Sequence, residues 1–161
     1  MKANLPQKEP AIIKKWEQSN AYHNMLDCAQ AGSFAMPDGP PYANGNIHLG
    51  HVLNKVLKDI VIKYKNLSGQ KAVFIPGWDC HGLPIELKVT KALGKKKKDM
   101  SDREIRELCR KEALKWVNTQ REQFKRLGIL ADWDNPYLTL QPEYEAEEIR
   151  VLADILDNGI L

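Results

Sequence analysis

The segment 38–51 constrains the fold of this chain more than any other part. It reads D-G-P-P-Y-A-N-G-N-I-H-L-G-H and joins a short apolar run, Phe34–Met36, to an amphipathic segment that extends to about Asn66. The glycines, prolines and asparagines in its first nine residues favour a tight, rigid loop. The pattern therefore predicts a strand, a loop and a helix, in that order.

Two histidines, His48 and His51, stand three residues apart where this helix should begin. Such spacing brings both rings to one face of the first turn. The first backbone N–H groups of a helix have no partner within it, and the positive end of the helix dipole lies beside them, so phosphate is favoured there. Imidazole N–H groups would add further donors. The alternative, two histidines that merely cap a surface helix, is disfavoured by Gly50 between them and by the rigid loop before them.

The helix that follows has a clear apolar periodicity at positions i, i+3, i+4 and i+7. Its predicted core-facing residues are Leu49, Val52, Leu53, Val56, Leu57, Ile60 and Val61, and its predicted water-facing residues are Asn54, Lys55, Lys58, Asp59 and Lys63. Ser68–Gly69 should end the helix, and Lys71–Ile75 is typical of a short buried strand. A strand, a helix and a strand in this order predict a right-handed βαβ unit with parallel strands, whose ligands would lie at the carboxyl ends of the strands.

A second distinctive segment, 76–86, follows that strand and reads P-G-W-D-C-H-G-L-P-I-E. The carboxylate of Asp79 suits an ammonium group, although a helix cap or a surface charge is an open alternative. His81, a lone loop histidine, is expected to be structural. His48, His51, Cys80 and His81 could in principle bind zinc, but the adjacency of Cys80 and His81 disfavours this, and Cys80 is expected to fill the core of the loop.

The remaining segments are predicted to be mostly helical. Residues 1–32 should form an N-terminal helical extension, with Pro10 in the first turn of a helix that reaches about Tyr22. Further helices are expected over 83–93, from a Ser101/Glu104 capping box to about Leu127, and from Pro142 onwards, with Ile149, Leu152, Ala153 and Leu156 as an apolar stripe. The lysine-rich run 94–99 is expected to be a solvated loop.

Composition limits the class of protein. The chain has 161 residues, of which 43% are hydrophobic and 28% charged, and its net charge is +3. These values fit one globular domain with a real core, and the mild charge permits a nucleic-acid partner without arguing for one. Three widely spaced cysteines favour reduced thiols and a cytoplasmic protein. The sequence contains no apolar run of about 18 residues, so no membrane span is predicted.

The tetrapeptide His48-Leu49-Gly50-His51 resembles the "HIGH" signature of class I aminoacyl-tRNA synthetases. The segment from Trp78 to Pro84 resembles the W-D-x-H-G-L-P segment of their isoleucyl, valyl and leucyl subgroup, and Pro40–Gly45 resembles the isoleucine-activating branch in particular. The resemblance implies an α/β fold class: residues 33–161 would be the first half of a Rossmann-like nucleotide-binding domain, a parallel sheet flanked by helices.

The resemblance also implies an activity, namely ATP-dependent activation of isoleucine to isoleucyl-adenylate and its transfer to tRNA(Ile). The implied partners are ATP with Mg²⁺, isoleucine, tRNA(Ile) and the rest of the synthetase polypeptide, with no membrane. The implied catalytic residues are His48 and His51. The implied ATP-binding residues are Pro41, Asn44, Gly45, His48, Gly50 and His51. Gly50 has no side chain and would therefore let adenine approach the backbone. The implied amino-acid-binding residues are Gly39, Pro40 and Asp79. No metal ligand is expected here, and zinc would belong only to parts of the enzyme outside this chain.

The sequence departs from the family pattern in one large respect. The second signature of the family, the lysine-bearing "KMSKS" loop, is not in this sequence, and neither are an editing domain, an anticodon-binding domain or a cysteine-rich zinc module. We therefore expect an N-terminal portion of the enzyme that is inactive or very weak by itself. Open alternatives are a valyl- or leucyl-type synthetase, a non-catalytic fragment that binds nucleotide or another polypeptide, and a small nucleotidyltransferase such as phosphopantetheine adenylyltransferase, which the 78–84 segment disfavours.

Overall fold

A computed structural model describes residues 4–36 and 38–160. Its elements are α1 (Leu5–Gln18), α2 (Ala21–Asp27), β1 (Ser33–Ala35), α3 (Leu49–Leu67), β2 (Lys71–Val73), β3 (Gly77–Trp78), α4 (Leu83–Leu93), a 3₁₀ helix (Gly94–Asp99), α5 (Asp102–Arg126), β4 (Tyr137–Leu138) and α6 (Pro142–Asp157). Within these ranges no helix is both long and apolar enough to cross a membrane.

The predicted α/β class with parallel strands is confirmed. β1 pairs in parallel with β2, with Phe34 opposite Ala72, and β3 pairs in parallel with β4, with Gly77 opposite Tyr137. In the described part of the chain, these pairs form two separate two-stranded sheets rather than one sheet.

The residues group into two compact units. The first unit comprises residues 1–38, 46–76 and 119–135, and the second comprises 39–45, 77–118 and 136–161. This grouping cuts across the predicted boundary between residues 32 and 33, and that domain division stays a prediction.

The core of the first unit joins α3 to β2. Ile62, Ala72, Phe74 and Phe124 are fully buried there. Asn66, near the end of α3, binds Ala72 at both backbone positions: its Nδ2 donates to the carbonyl at 2.8 Å, and its Oδ1 accepts from the N–H at 3.1 Å. One buried amide side chain therefore fixes the helix end against the strand, with its polar atoms satisfied.

The predicted packing of α3 is wrong for most of its apolar residues. Of the residues expected to face the core, Leu49 is 82% exposed and Leu53, Leu57 and Ile60 are also exposed, whereas the three valines are half-buried. The buried residues of this helix are Lys55, Asp59, Ile62 and Asn66. Polar groups can lie on the inner face because they have partners: Lys55 binds the carboxylate of Asp38, and Asp59 accepts the N–H of Leu130 at 2.9 Å. A satisfied buried polar group escapes most of its desolvation cost.

The first two helices also differ from prediction. α1 begins five residues before Pro10 and contains this proline, and Pro6 occupies its N-terminal turn. The chain leaves the helical conformation at Asn20, whose φ is 51°, and continues as α2. Asparagine tolerates this left-handed conformation better than most residues, so one predicted helix becomes two.

In the second unit, a glycine allows the close approach of two strands. A Cβ atom at Gly77 would lie 2.0–2.5 Å from ring atoms of Tyr137, so no larger residue fits there.

The predicted helix over 83–93 is confirmed, and so is the Ser101/Glu104 capping box. The run 94–99 is exposed as predicted but forms a 3₁₀ helix rather than a loop. The stripe of α6 is exposed at Ile149, Leu152, Ala153 and Leu156, so it does not pack as the periodicity suggests.

Candidate functional site

The predicted amino-acid and nucleotide loop is paired with the segment that carries Asp79. The N–H of Ala43 donates to the carbonyl of Asp79 at 2.9 Å, and the N–H of Asp79 donates to the carbonyl of Pro41 at 2.9 Å. Tyr42 and Asp79 thus form a parallel bridge, and Ala43, the next residue, is fully buried. Two segments predicted separately from sequence are therefore brought together within the second unit.

Asp79 itself holds a tight turn. Its Oδ1 accepts the N–H of His81 at 3.2 Å, while the N-cap of α4 is Gly82. The carboxylate is partly exposed. Of the roles considered from sequence, the helix cap does not apply, and the binding of a cation by this fixed, accessible carboxylate stays a prediction.

The two histidines cap α3 reciprocally. Nδ1 of His48, the N-cap residue, accepts the N–H groups of Gly50 at 3.1 Å and His51 at 3.4 Å, and Nδ1 of His51 accepts the N–H of His48 at 3.4 Å. The prediction that the first-turn amides are free for phosphate is therefore wrong for Gly50 and His51. An imidazole nitrogen takes the acceptor role that a Ser, Asp or Asn oxygen has in ordinary caps.

This cap determines where the ring protons lie. Because both Nδ1 atoms accept hydrogen bonds, a neutral ring must carry its proton on Nε2. The rings are stacked, with their centroids 3.8 Å apart and their planes 19° from parallel. Burial lowers the pKa of His51, and the charges of His48 and Lys55 lower it further, so the neutral form is favoured. The turn therefore offers imidazole Nε2–H donors to a ligand.

Gly50 makes room for this arrangement. A Cβ at Gly50 would lie 3.0 Å from Cε1 and 3.1 Å from Nδ1 of His48, tighter than ordinary van der Waals contact. Sequence reasoning assigned this glycine to the approach of adenine. The structure adds another reason, which is that the His48 ring occupies the space of a side chain.

Gln123 is a residue of this site that sequence reasoning missed. Its Oε1 accepts the N–H of Ile47 at 2.9 Å, and its Nε2 donates to Oδ1 of Asn46 at 2.8 Å. The next residue, Phe124, contacts the His51 ring edge-to-face with centroids 6.4 Å apart. Both lie more than 70 positions away along the chain, and no local pattern in the sequence could have indicated these contacts.

Cys80 and His81, which were considered as zinc ligands and disfavoured, have other partners. Cys80 is buried, its N–H donates to Oγ1 of Thr139 at 2.9 Å, and burial raises the pKa of its thiol to about 11. Nε2 of His81 lies 3.4 Å from Oε1 of Glu145. Cys80 therefore fills the loop core as predicted. Among residues 4–36 and 38–160, no group of three or more His, Cys, Asp or Glu side chains could hold a metal ion.

The predicted site residues fall into two sets. His48, Gly50 and His51 lie in the first unit, and Gly39, Pro40, Pro41, Asn44, Gly45 and Asp79 lie in the second. The first set forms one capped helix turn. The second set is organised by the pairing of residues 41–43 with Asp79.

Comparison with known proteins adds independent evidence. A family model described as tRNA synthetases class I (I, L, M and V) matches residues 11–161. The chain is 57% identical to an isoleucine–tRNA ligase of Persephonella marina, 55% to one of Petrotoga mobilis and 53% to one of Nitratidesulfovibrio vulgaris. Each alignment covers 99% of this chain but only 17% of the relative, so the chain spans about a sixth of the length of these proteins.

A solved structure has a similar fold. The chain matches Agrobacterium radiobacter K84 LeuRS, crystallised in a ternary complex with tRNA and LeuAMS, with a TM-score of 0.69 over 98% of this chain and 18% of that one. The sequence identity is 20%, so the likeness concerns the fold alone, and it confirms the predicted synthetase-type α/β fold. With a family model that matches all but the first ten residues, the chain belongs to the class I tRNA synthetase family of the I, L, M and V enzymes.

Proposed function

We propose that the complete protein containing this chain is an isoleucine–tRNA ligase, which activates isoleucine with ATP and transfers it to tRNA(Ile). The observation that carries the proposal is the 57% identity, over 99% of this chain, to a protein named isoleucine–tRNA ligase. The Pro40–Gly45 loop, which resembles the isoleucine-activating branch, supports the same amino acid.

In the proposed activation step, a carboxylate oxygen of isoleucine attacks the α-phosphorus of ATP. A new bond forms between the carboxylate oxygen and the α-phosphorus. The bond between the α-phosphorus and the oxygen that bridges it to the β-phosphorus breaks, and pyrophosphate leaves. The protein contributes mainly by positioning and by stabilising charge. The Nε2–H groups of His48 and His51 would donate to the phosphate oxygens, and Mg²⁺ would arrive with ATP as part of the substrate.

The proposal assigns residues 39–45 and Asp79 to the amino acid and ATP. Asp79 would hold the isoleucine ammonium group, with Gly39 and Pro40 bordering the substrate, and Pro41, Asn44 and Gly45 would contact ATP. The backbone pairing between residues 41–43 and Asp79 supports this assignment, because it links the two segments into one rigid structure. Preorganised groups of this kind stabilise a transition state without a reorganisation cost.

Amino-acid-dependent exchange of pyrophosphate into ATP, measured on the complete protein, tests the proposal. We expect isoleucine to support exchange far better than leucine. Valine should be a weaker substrate by the worth of one methylene group, about 1–3 kcal/mol. Reactions without an amino acid serve as the control. A preference for valine or leucine would indicate another branch of the family, and no exchange with any of the three would indicate a non-catalytic nucleotide-binding protein.

A further inference from the structure

The ammonium group of Lys88, on α4, contacts three different groups of the second unit. Its Nζ donates to the backbone carbonyl of Asn44 at 3.1 Å and lies 3.0 Å from Oε1 of Glu112. It also lies over the indole ring of Trp116, 3.9 Å from the ring centroid. A carbonyl, a carboxylate and an aromatic face are all favourable partners of a cation.

The partners of Lys88 on α5 are themselves fixed. Glu112 and Trp116 stand four residues apart on this helix, and the indole Nε1–H donates to Oε1 of Glu112 at 2.6 Å. The bonds from Trp116 and then from Lys88 lower the pKa of Glu112, so it stays ionised near neutral pH. We call Lys88, Glu112 and Trp116 the Lys88 cluster.

The candidate nucleotide loop, residues 41–45, is held by three hydrogen bonds to its backbone, and the Lys88 cluster supplies the last of them along the chain. Asp79 already binds the carbonyl of Pro41 and the N–H of Ala43. The Lys88 bond to the Asn44 carbonyl continues this series one residue further along the loop. Lys88 therefore binds the carbonyl of the peptide group between Asn44 and Gly45.

We propose that Lys88 is a positioning residue for ATP, which acts by fixing the Asn44 peptide group so that Pro41–Gly45 presents one conformation to the nucleotide. The inference rests on the proposed function, which assigns this loop to ATP. Its ammonium is directed at three groups of the protein, so Lys88 acts through the loop rather than by touching the substrate. Its side chain is 40% exposed, and solvent weakens the ion pair with Glu112, so the effect should be moderate.

Steady-state pyrophosphate exchange by the complete protein tests the role of Lys88. Lys88→Met keeps the apolar stem and removes the ammonium, and we expect the KM for ATP to rise roughly tenfold, the low end for a lost hydrogen bond to a charged group. The KM for isoleucine and the melting temperature should stay nearly unchanged. Lys88→Arg, which keeps a cation and its donors, should recover most of the affinity. The matched control is Lys91→Met, which removes the same charge from an exposed position of the same helix and should leave the KM for ATP unchanged.

The partners of Lys88 distinguish positioning from direct contact with substrate. Glu112→Gln and Trp116→Phe should each raise the KM for ATP, by less than Lys88→Met does, and should add little in the Lys88→Met background because the three residues act as a unit. If these two changes are silent while Lys88→Met is not, Lys88 touches ATP itself and the inference fails. It also fails if Lys88→Met behaves like Lys91→Met, or if both KM values rise together with a lower melting temperature. Absence of isoleucine-dependent exchange in the unaltered protein would instead overturn the proposed function.

Discussion

His48 caps α3, and the proposed function gives the same side chain a second role. Its Nδ1 caps α3 through the N–H groups of Gly50 and His51, which leaves its Nε2–H as the group available to an anion. Stability and the proposed ligand binding would therefore depend on opposite sides of the same ring, and we expect a substitution to remove one without the other.

Replacement of the histidines in the complete protein should separate these roles. We expect His51→Ala to lower kcat for adenylate formation roughly 10²–10³-fold, the usual cost of one preorganised donor to developing charge, with a smaller loss of ATP affinity. His48→Ala should act similarly and should also lose the N-cap side chain, worth about 1 kcal/mol, whereas His51→Ala loses only the single reciprocal bond to the N–H of His48. His48→Asn should keep the cap, because asparagine is a favoured N-cap residue, and should retain more activity because its amide still offers a donor.

Pyrophosphate exchange and thermal melting, measured on the same samples, check this prediction. The double alanine variant should lose less than the product of the single effects, since both rings would serve one charge. Activity lost only in step with a collapsed melting temperature would mean that the histidines are purely structural.

At the scale of the element, α3 shows what the sequence could and could not predict. Its position and ends follow from local signals, namely the histidine turn at 48–51 and Ser68–Gly69, and both agree with the structure. Its buried face does not follow from periodicity, because Lys55 is 2% exposed and Asp59 is 6% exposed. Whether a lysine can be buried depends on a carboxylate such as Asp38, 17 positions away, and helical spacing carries no information about that partner.

The buried charges of α3 allow a stability prediction. Asp38 binds both Lys55 and Lys58, and Nζ of Lys55 also lies 5.5 Å from the ring centroids of Phe74 and Phe124. Burial lowers the pKa of Lys55, and Asp38 opposes that shift. Asp38→Asn should therefore destabilise the 161-residue chain by about 3–5 kcal/mol, because it removes the carboxylate that compensates a buried ammonium.

Lys55→Met should cost less than Asp38→Asn, because the carboxylate keeps its bond to Lys58 and the methionine can pack against the two phenylalanine rings. Equilibrium urea denaturation of the unaltered chain, Asp38→Asn and Lys55→Met measures the free energy of unfolding of each, and the differences give the cost of each substitution. Equal costs, or a larger cost for Lys55→Met, would contradict this account of the buried pair.

At the scale of the whole molecule, the described surface carries two unusual apolar stripes. One consists of the exposed residues of α3, Leu49, Leu53, Leu57, Ile60, Tyr64 and Leu67, and the other consists of Ile149, Leu152 and Leu156 on α6. Contiguous exposed apolar side chains favour association. The apolar periodicity of α3 and α6 is visible in the sequence, but such a pattern does not say which surface, if any, packs against the apolar side chains.

We expect the isolated 161-residue chain to be folded and to self-associate. Sedimentation velocity over a wide concentration range should show a rising average mass, and Leu53→Glu/Leu57→Glu should reduce it. The matched control, Glu107→Gln/Arg106→Gln, changes exposed polar residues and should leave the mass distribution as it is. A chain that stays monomeric at every concentration would contradict the prediction.

We also expect the reciprocal histidine cap to affect how the molecule folds. Every bond of the cap joins residues no more than three positions apart, so its formation requires almost no loop-closure entropy. A helix nucleus is costly because several residues must be ordered for one hydrogen bond, and here the cap supplies additional bonds at that stage. The turn that would receive the phosphates of ATP can therefore assemble early in folding, before the distant contacts with Gln123 and Phe124 form, and those later contacts would fix a geometry that already exists.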